Sequence, residues 1–145
     1  PSSVGFYPVA SCALIYGTGP VVAGTGSGGP GVRQVLASTT LSKAFAAATA
    51  APEIDAIIFR IDSPGGSVLA SDIIWRSVEV AKKSEKPLIA SFSNVAASGG
   101  YYVAAGADAI VAQQLLHLGD DRWPAAGARG WRIWPRPGWS RTGRS

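Results

Sequence analysis

The chain has 145 residues, 47% of them hydrophobic, and a formal net charge of +4. This suits one domain with a single core and excludes a disordered polar tail. The lone Cys12 excludes a disulfide scaffold, and the longest apolar run, Val9 to Tyr16, is less than half the roughly 18 residues that a membrane-spanning helix needs. The absence of methionine is what a processed product or a fragment would show.

Charge divides the chain. Residues 1–113 carry seven basic and seven acidic groups, so the whole excess lies in residues 114–145, where six arginines face two aspartates and four of the five tryptophans are found. The two parts are read separately.

In chain order, Cys12-Ala-Leu-Ile-Tyr16 reads as a buried strand, followed by a glycine-rich loop through Gly31. Thr39 or Thr40 is a candidate cap for a helix to about Ala50, with Leu41, Phe45 and Ala48 on one face. Ala56 to Ile61 is a second strand. From Ser67 to about Ser84, Ala70, Ile74, Val78 and Ala81 fall at helical spacing. Pro87 to Phe92 is a third strand, Ser98 to Ala107 a short helix and Ala109 to Ala112 a fourth strand. Alternating strands and helices with continuously apolar strands imply a parallel α/β sheet covered on both faces. Ligands are then expected at the carboxyl ends of the strands, where the loops after Ile61 and Phe92 face each other. Beyond Gln113 no period of 2 or 3.6 persists, and residues 114–145 are expected to form an aberrant, disordered tail.

The loop Asp62-Ser-Pro-Gly-Gly-Ser67 places two glycines before a helix that Ser67 can cap. Its N–H groups suit an anion, including the oxyanion of acyl transfer, although an ordinary tight turn has the same composition. In Asn94-Val-Ala-Ala-Ser-Gly-Gly-Tyr-Tyr102, Ser98 precedes a helix, as either a plain N-cap or a nucleophile. Together the two loops supply a hydroxyl and convergent N–H donors, the parts acyl transfer requires.

These motifs, Ile61-Asp-Ser-Pro-Gly-Gly-Ser67 with Ala70-Ser-Asp72 and Ala96-Ala-Ser-Gly-Gly-Tyr-Tyr102, resemble the signal peptide peptidase family, the protease IV type of serine peptidase. The likeness runs from about Ala13 to Ala112, and the 31 positions from Ser67 to Ser98 also fit it. It implies a Clp protease/crotonase-like fold and hydrolysis of residual signal peptides by a homo-oligomer. It also implies membrane association through an anchor not present in this chain, with the active site on the periplasmic or extracytoplasmic side. Ser98 would be the nucleophile, and the amides of Gly65 or Gly66, with Gly99, the oxyanion donors. No cofactor, metal or nucleic acid is implied.

The family's general base is a lysine, which must be neutral to take the serine proton. In short members its spacing from the serine would fall past Ser145; in long two-domain members the other half of the chain supplies it. None of Lys43, Lys82, Lys83 or Lys86 matches, and the last three read as a solvated helix end, so the base is expected outside this chain. After Ala112 the family continues with a segment like Ile-Thr-Gly-Ser-Ile-Gly. A one-base shift of a compatible coding of Leu115 to Trp123 gives Ser-Ser-Ile-Ser-Gly-Thr-Ile-Gly, so the tail reads as a frameshifted translation.

Competing readings are weaker. Gly24-Thr-Gly-Ser-Gly-Gly29 fits a dinucleotide pattern, but Pro30 follows in place of a helix. His117, the single histidine, lies in the tail, so a Ser-His-Asp triad has poor support, and one cysteine with one histidine gives little support for a zinc site. The Trp/Arg tail has the composition of a nucleic-acid or lipid-headgroup binder. From other classes, a crotonase-like acyl-thioester binder would use the same amide pair without a serine nucleophile, and an inactive fragment or assembly subunit would use neither.

Overall fold

The computed structural model describes residues 10–26, 34–112 and 132–135. Five strands form the main sheet: β1 (Cys12–Thr18), β4 (Ala56–Ser63), β5 (Leu88–Ala96), β6 (Ala109–Ala112) and β7 (Arg132–Pro135), side by side in that order. The first four are parallel, and β7 runs antiparallel to β6, pairing Ile110 with Trp134. A second, two-stranded sheet joins β2 (Val21–Val22) to β3 (Leu36–Ala37). The helices are α1 (Ser38–Ala50), α2 (Val68–Lys82) and the single turn α3 (Gly99–Tyr102). The architecture is a mostly parallel α/β sheet built of βαβ units.

The central strand β4, Ala-Ile-Ile-Phe-Arg-Ile-Asp-Ser, is rich in β-branched and aromatic residues. Its Ile57, Phe59, Ile61 and Ser63 are buried, while the alternate residues are half-exposed. On β5, Leu88, Ala90 and Phe92 continue the buried layer, and α2 covers it with Ala70, Ile74, Val78 and Ala81. From α1 come Leu41, Phe45 and Ala48, with Phe45 edge-on to Phe59 at 5.1 Å between ring centroids. Burying each such large side chain contributes about 1.5–3 kcal/mol.

The expectation of a sheet covered on both faces is corrected. Helices α1 and α2 pack against each other, linked by Ser42 Oγ and Ser77 Oγ at 2.7 Å, and so lie on one face. Strand order explains this: β1, β4, β5 and β6 advance in one direction, and right-handed crossovers without a reversal place every helix on the same side. Leu14 and Tyr16, on the other face of β1, remain 50% and 65% exposed.

The cap of α1 also differs. The helix begins at Ser38 with Ala37 as N-cap, and neither Thr39 nor Thr40 caps it through a side chain. The glycine-rich loop wraps the helix start instead: Gly24 N–H donates to Ser38 Oγ, Thr39 N–H donates to Gly24 O, and Thr40 Oγ1 donates to Thr25 O. Gly24 therefore serves α1, and residues 27–29 of its motif lie outside the described residues. His117 and all of the 114–145 tail except Arg132–Pro135 also lie outside them.

At its other end, α1 is closed by a side chain read as solvated. Lys86 Nζ donates to Ala48 O at 3.0 Å and Ala51 O at 2.5 Å, satisfying terminal carbonyls and complementing the negative end of the helix dipole. Lys86→Met keeps the aliphatic stem and removes both bonds. It is expected to lower unfolding free energy by about 1–3 kcal/mol, read from the urea midpoint at unchanged slope.

Candidate functional site

Ser98 sits where β5 gives way to α3, with φ 48° and ψ −121°. Among the described residues only Ser98 and Glu85 combine a side chain with positive φ. Such a conformation costs about 1–3 kcal/mol and persists where its surroundings over-determine it. They do so here. Ala97 N–H donates to Ser63 O at 3.1 Å, the N–H groups of Tyr101 and Tyr102 both donate to Ser98 O at 3.0 Å, and Phe92 packs against the Tyr101 ring. Although Ser98 holds the N-cap position, its hydroxyl caps nothing. It is exposed and makes no hydrogen bond among the described residues. The plain N-cap reading is thereby replaced by a sharp strand-to-helix turn that presents the hydroxyl outward.

The glycine loop lies directly against this turn. Gly65 has φ +96°, and a Cβ there would stand 2.8 Å from both Ser98 Cβ and Gly99 N. Beside it, Val21 N–H donates to Gly65 O and Ser67 N–H donates to Val21 O, so β2 fixes the loop from its outer side. Ser67 caps α2 by accepting from Ala70 N–H at 3.2 Å.

Gly65 and Gly66, alternatives in the sequence, differ in what their amides do. The Gly65 N–H donates to Ser63 Oγ at 3.1 Å within a buried turn. Among the described residues, Gly66 N–H has no acceptor, nor has Gly99 N–H at the start of α3. The Gly66 nitrogen lies 3.5 Å from the position a Gly99 Cβ would take. That Cβ would also overlap Ser71 Oγ, which is buried and donates to Ser67 O at 2.8 Å. Ser63 and Ser71 went unnoticed in the sequence. Their signals were local, a serine two residues before Gly65 and a serine one turn after the Ser67 cap within the buried stripe of α2.

The acidic groups nearby are already occupied. Asp62 Oδ1 accepts from Val95 N–H at 3.1 Å, bridging the register shift between β4 and β5, and Asp72 accepts from Arg76 Nε at 2.8 Å and from the Tyr102 hydroxyl at 3.3 Å. Exposed apolar side chains follow both loops in sequence, Val68 and Leu69 after the glycine loop and Tyr101 and Tyr102 after Ser98.

All four lysines of the chain are described. Lys43 is exposed on α1, and Lys82 and Lys83 end α2. That helix starts beside the glycine loop and runs 15 residues, which carries its last turn about 21 Å away along the axis. Lys86 is committed to the end of α1.

A parallel α/β domain whose two adjacent strand-end loops bring a strained serine against a glycine turn is thus defined by fold and site. Residues 80–119 match the model of peptidase family S49. The chain is 58% identical over 64 residues to the chloroplastic serine protease SPPA of Arabidopsis thaliana, covering 44% of this chain and 9% of that protein. It is 37% identical over 100 residues to protease 4 of Salmonella typhi, covering 69% and 15%. A ClpP1 mutant from Listeria monocytogenes superposes with a TM-score of 0.48 at 19% identity, over 70% of this chain and 56% of that one. The family match and these relatives together support family S49 of the signal peptide peptidase and protease IV type, and the chain spans about one-tenth to one-seventh of the length of the two curated relatives.

Proposed function

We propose that this domain is the nucleophile-bearing part of an endopeptidase that hydrolyses residual signal peptides. The observation that carries the reading is the exposed Ser98 hydroxyl on a strained turn beside two amides, all three without a hydrogen-bond partner among the described residues. Ser98 Oγ attacks the scissile carbonyl, and the oxyanion accepts from the Gly66 and Gly99 N–H groups. The Ser98 proton passes to a neutral lysine, which returns it to the leaving amine, and water then cleaves the acyl-enzyme ester. Gly65, whose N–H is held by Ser63, shapes the turn. With Lys86 committed to the end of α1, Lys82 and Lys83 at the far end of α2 and Lys43 exposed on α1, the lysine comes from a segment or subunit outside this chain. The full-length protein acts as a homo-oligomer at a membrane, on its extracytoplasmic side. No helix among the described residues is long and apolar enough to cross a membrane, so the anchor too lies outside them.

A fluorophosphonate tests the nucleophile because its fluoride leaves without needing a proton from a general acid. Slow labelling is expected, with the Oγ–P bond mapped to Ser98, abolished by Ser98→Ala and retained in Ser67→Ala. Label on any other serine, or none after prolonged exposure, overturns the assignment.

A further inference from the structure

We infer that Ser63 is a positioning residue for this site: its side chain holds the glycine loop, its carbonyl holds the Ser98 turn, and the two loops are set against each other through it. The inference rests on the reading of Ser98 and the Gly66 amide given above. The buried side of β4 runs Ile57, Phe59, Ile61 and Ser63, so its one polar member stands at the strand end, 0% exposed, where an apolar residue would continue the layer. A hydroxyl buried there without a partner is costly. Ser63 Oγ has one, accepting from Gly65 N–H at 3.1 Å. Its carbonyl faces the other loop: Ser63 O accepts from Ala97 N–H at 3.1 Å, one position before the nucleophile. Gly100, two positions after the nucleophile, lies so close that a Cβ there would stand 2.6 Å from Ser63 O and 3.0 Å from Ser63 Cβ.

The direction of the Gly66 N–H follows from the bonds on either side of Gly65. A trans peptide sets its N–H opposite its C=O. Because Gly65 O accepts from Val21 N–H at 3.0 Å, the Gly66 N–H of the same peptide turns away from β2. The Gly66 nitrogen lies 3.5 Å from the position a Gly99 Cβ would take. The preceding peptide, between Pro64 and Gly65, is fixed by the bond to Ser63 Oγ. Gly65 holds neither orientation by itself: at φ +96° and without a side chain, it has little steric preference for one backbone conformation over another. Without the Ser63 acceptor its N–H would be left unsatisfied in a buried turn. The peptide would then rotate toward another acceptor and carry the Gly66 N–H with it.

An ordinary strand-end turn uses a serine in the same way, and loss of its hydroxyl then lowers stability and nothing else. A positioning role changes a different quantity. The Gly66 N–H stabilises charge that develops only as the bond to Ser98 Oγ forms, so its misalignment slows the chemical step and leaves the first binding of a reagent unchanged. A fluorophosphonate reads that step directly, because its phosphoryl oxygen takes the place of the oxyanion as the Oγ–P bond forms and fluoride leaves.

The test compares the full chain with Ser63→Ala and with Ser63→Cys, which nearly keeps the volume but replaces the hydroxyl by a weak acceptor. Labelling of Ser98 is followed across fluorophosphonate concentrations, under conditions where urea titration shows each chain folded. In both variants the maximal labelling rate is expected to fall about 10- to 100-fold, short of what outright loss of an oxyanion donor can cost, while the half-saturating concentration changes less than about threefold. Where Ser63→Ala does not fold, Ser63→Cys decides alone. An unslowed rate in either folded variant, or slowing matched by an equal rise in half-saturating concentration, overturns the inference. Failure of both variants to fold assigns Ser63 to the fold and overturns it too. Ser98 unlabelled in the unsubstituted chain removes the peptidase reading and this inference with it, whereas a labelled chain with unslowed variants removes this inference alone.

Discussion

Gly65→Ala is expected to lower unfolding free energy by about 2–6 kcal/mol and to abolish fluorophosphonate labelling of Ser98. Two costs add. At φ +96° an alanine carries roughly 1–3 kcal/mol of backbone strain. Its methyl would also stand 2.8 Å from Ser98 Cβ and Gly99 N and 2.9 Å from Ala97 O, and two of these three are backbone atoms that cannot rotate away. Overpacking of that sort costs a further 1–3 kcal/mol or so, and the strain lands on the turn that aims the serine. Gly24→Ala supplies the control. Its φ of +88° is nearly the same, yet nothing lies within 4 Å of the added methyl. It should lose only the strain, about 1–3 kcal/mol, and keep the label. Urea unfolding of the two variants at unchanged slope reads the difference. Equal losses would show that the two loops are not in the contact described.

The contrast between these glycines shows what was legible in the sequence. Strand and helix cores could be read because the information is periodic: Leu41, Phe45 and Ala48, or Ala70, Ile74, Val78 and Ala81, announce a buried face by their spacing alone. Features made by residues distant in sequence could not. The start of α1 is held by Gly24 and Thr25, some 15 positions upstream, so the caps proposed from neighbouring threonines were the wrong groups. Its end is held by Lys86, 35 and 38 positions downstream, a residue that alone looks like ordinary helix-end charge. Placement of both helices on one face required the strand order, which local composition does not encode. The pairing of the two motif loops could be expected, since consecutive parallel strands of one crossover unit deliver their ends to the same edge. The choice between the Gly65 and Gly66 amides could not, because it turns on one bond from Gly65 N–H to Ser63 Oγ.

Turnover of an apolar peptide by this chain is expected to lie about four to six orders of magnitude below that of a complete site, the loss typical when one member of a catalytic unit is removed. The reasoning begins with the serine. An unassisted hydroxyl remains a neutral alcohol at neutral pH, and stabilising the oxyanion does not remove its proton or protonate the leaving amine. Among the described residues, the glycine loop stands against the Ser98 turn, and the carboxylates of Asp62 and Asp72 are occupied. Lys86 is bonded at the end of α1, Lys82 and Lys83 lie at the far end of α2, and Lys43 is exposed on α1. Ser98→Ala should therefore change the residual rate by less than about tenfold, because what survives in such sites comes chiefly from binding and the oxyanion donors. An internally quenched peptide of apolar residues, followed over days with and without the substitution, measures both quantities. Robust hydrolysis that disappears in Ser98→Ala would mean that a base reaches the serine from within these 145 residues, and the assignment of the lysine to another segment would fall. A slow rate equal in both chains, alongside slow fluorophosphonate labelling of Ser98, is the combination that an intact nucleophile turn without its base produces.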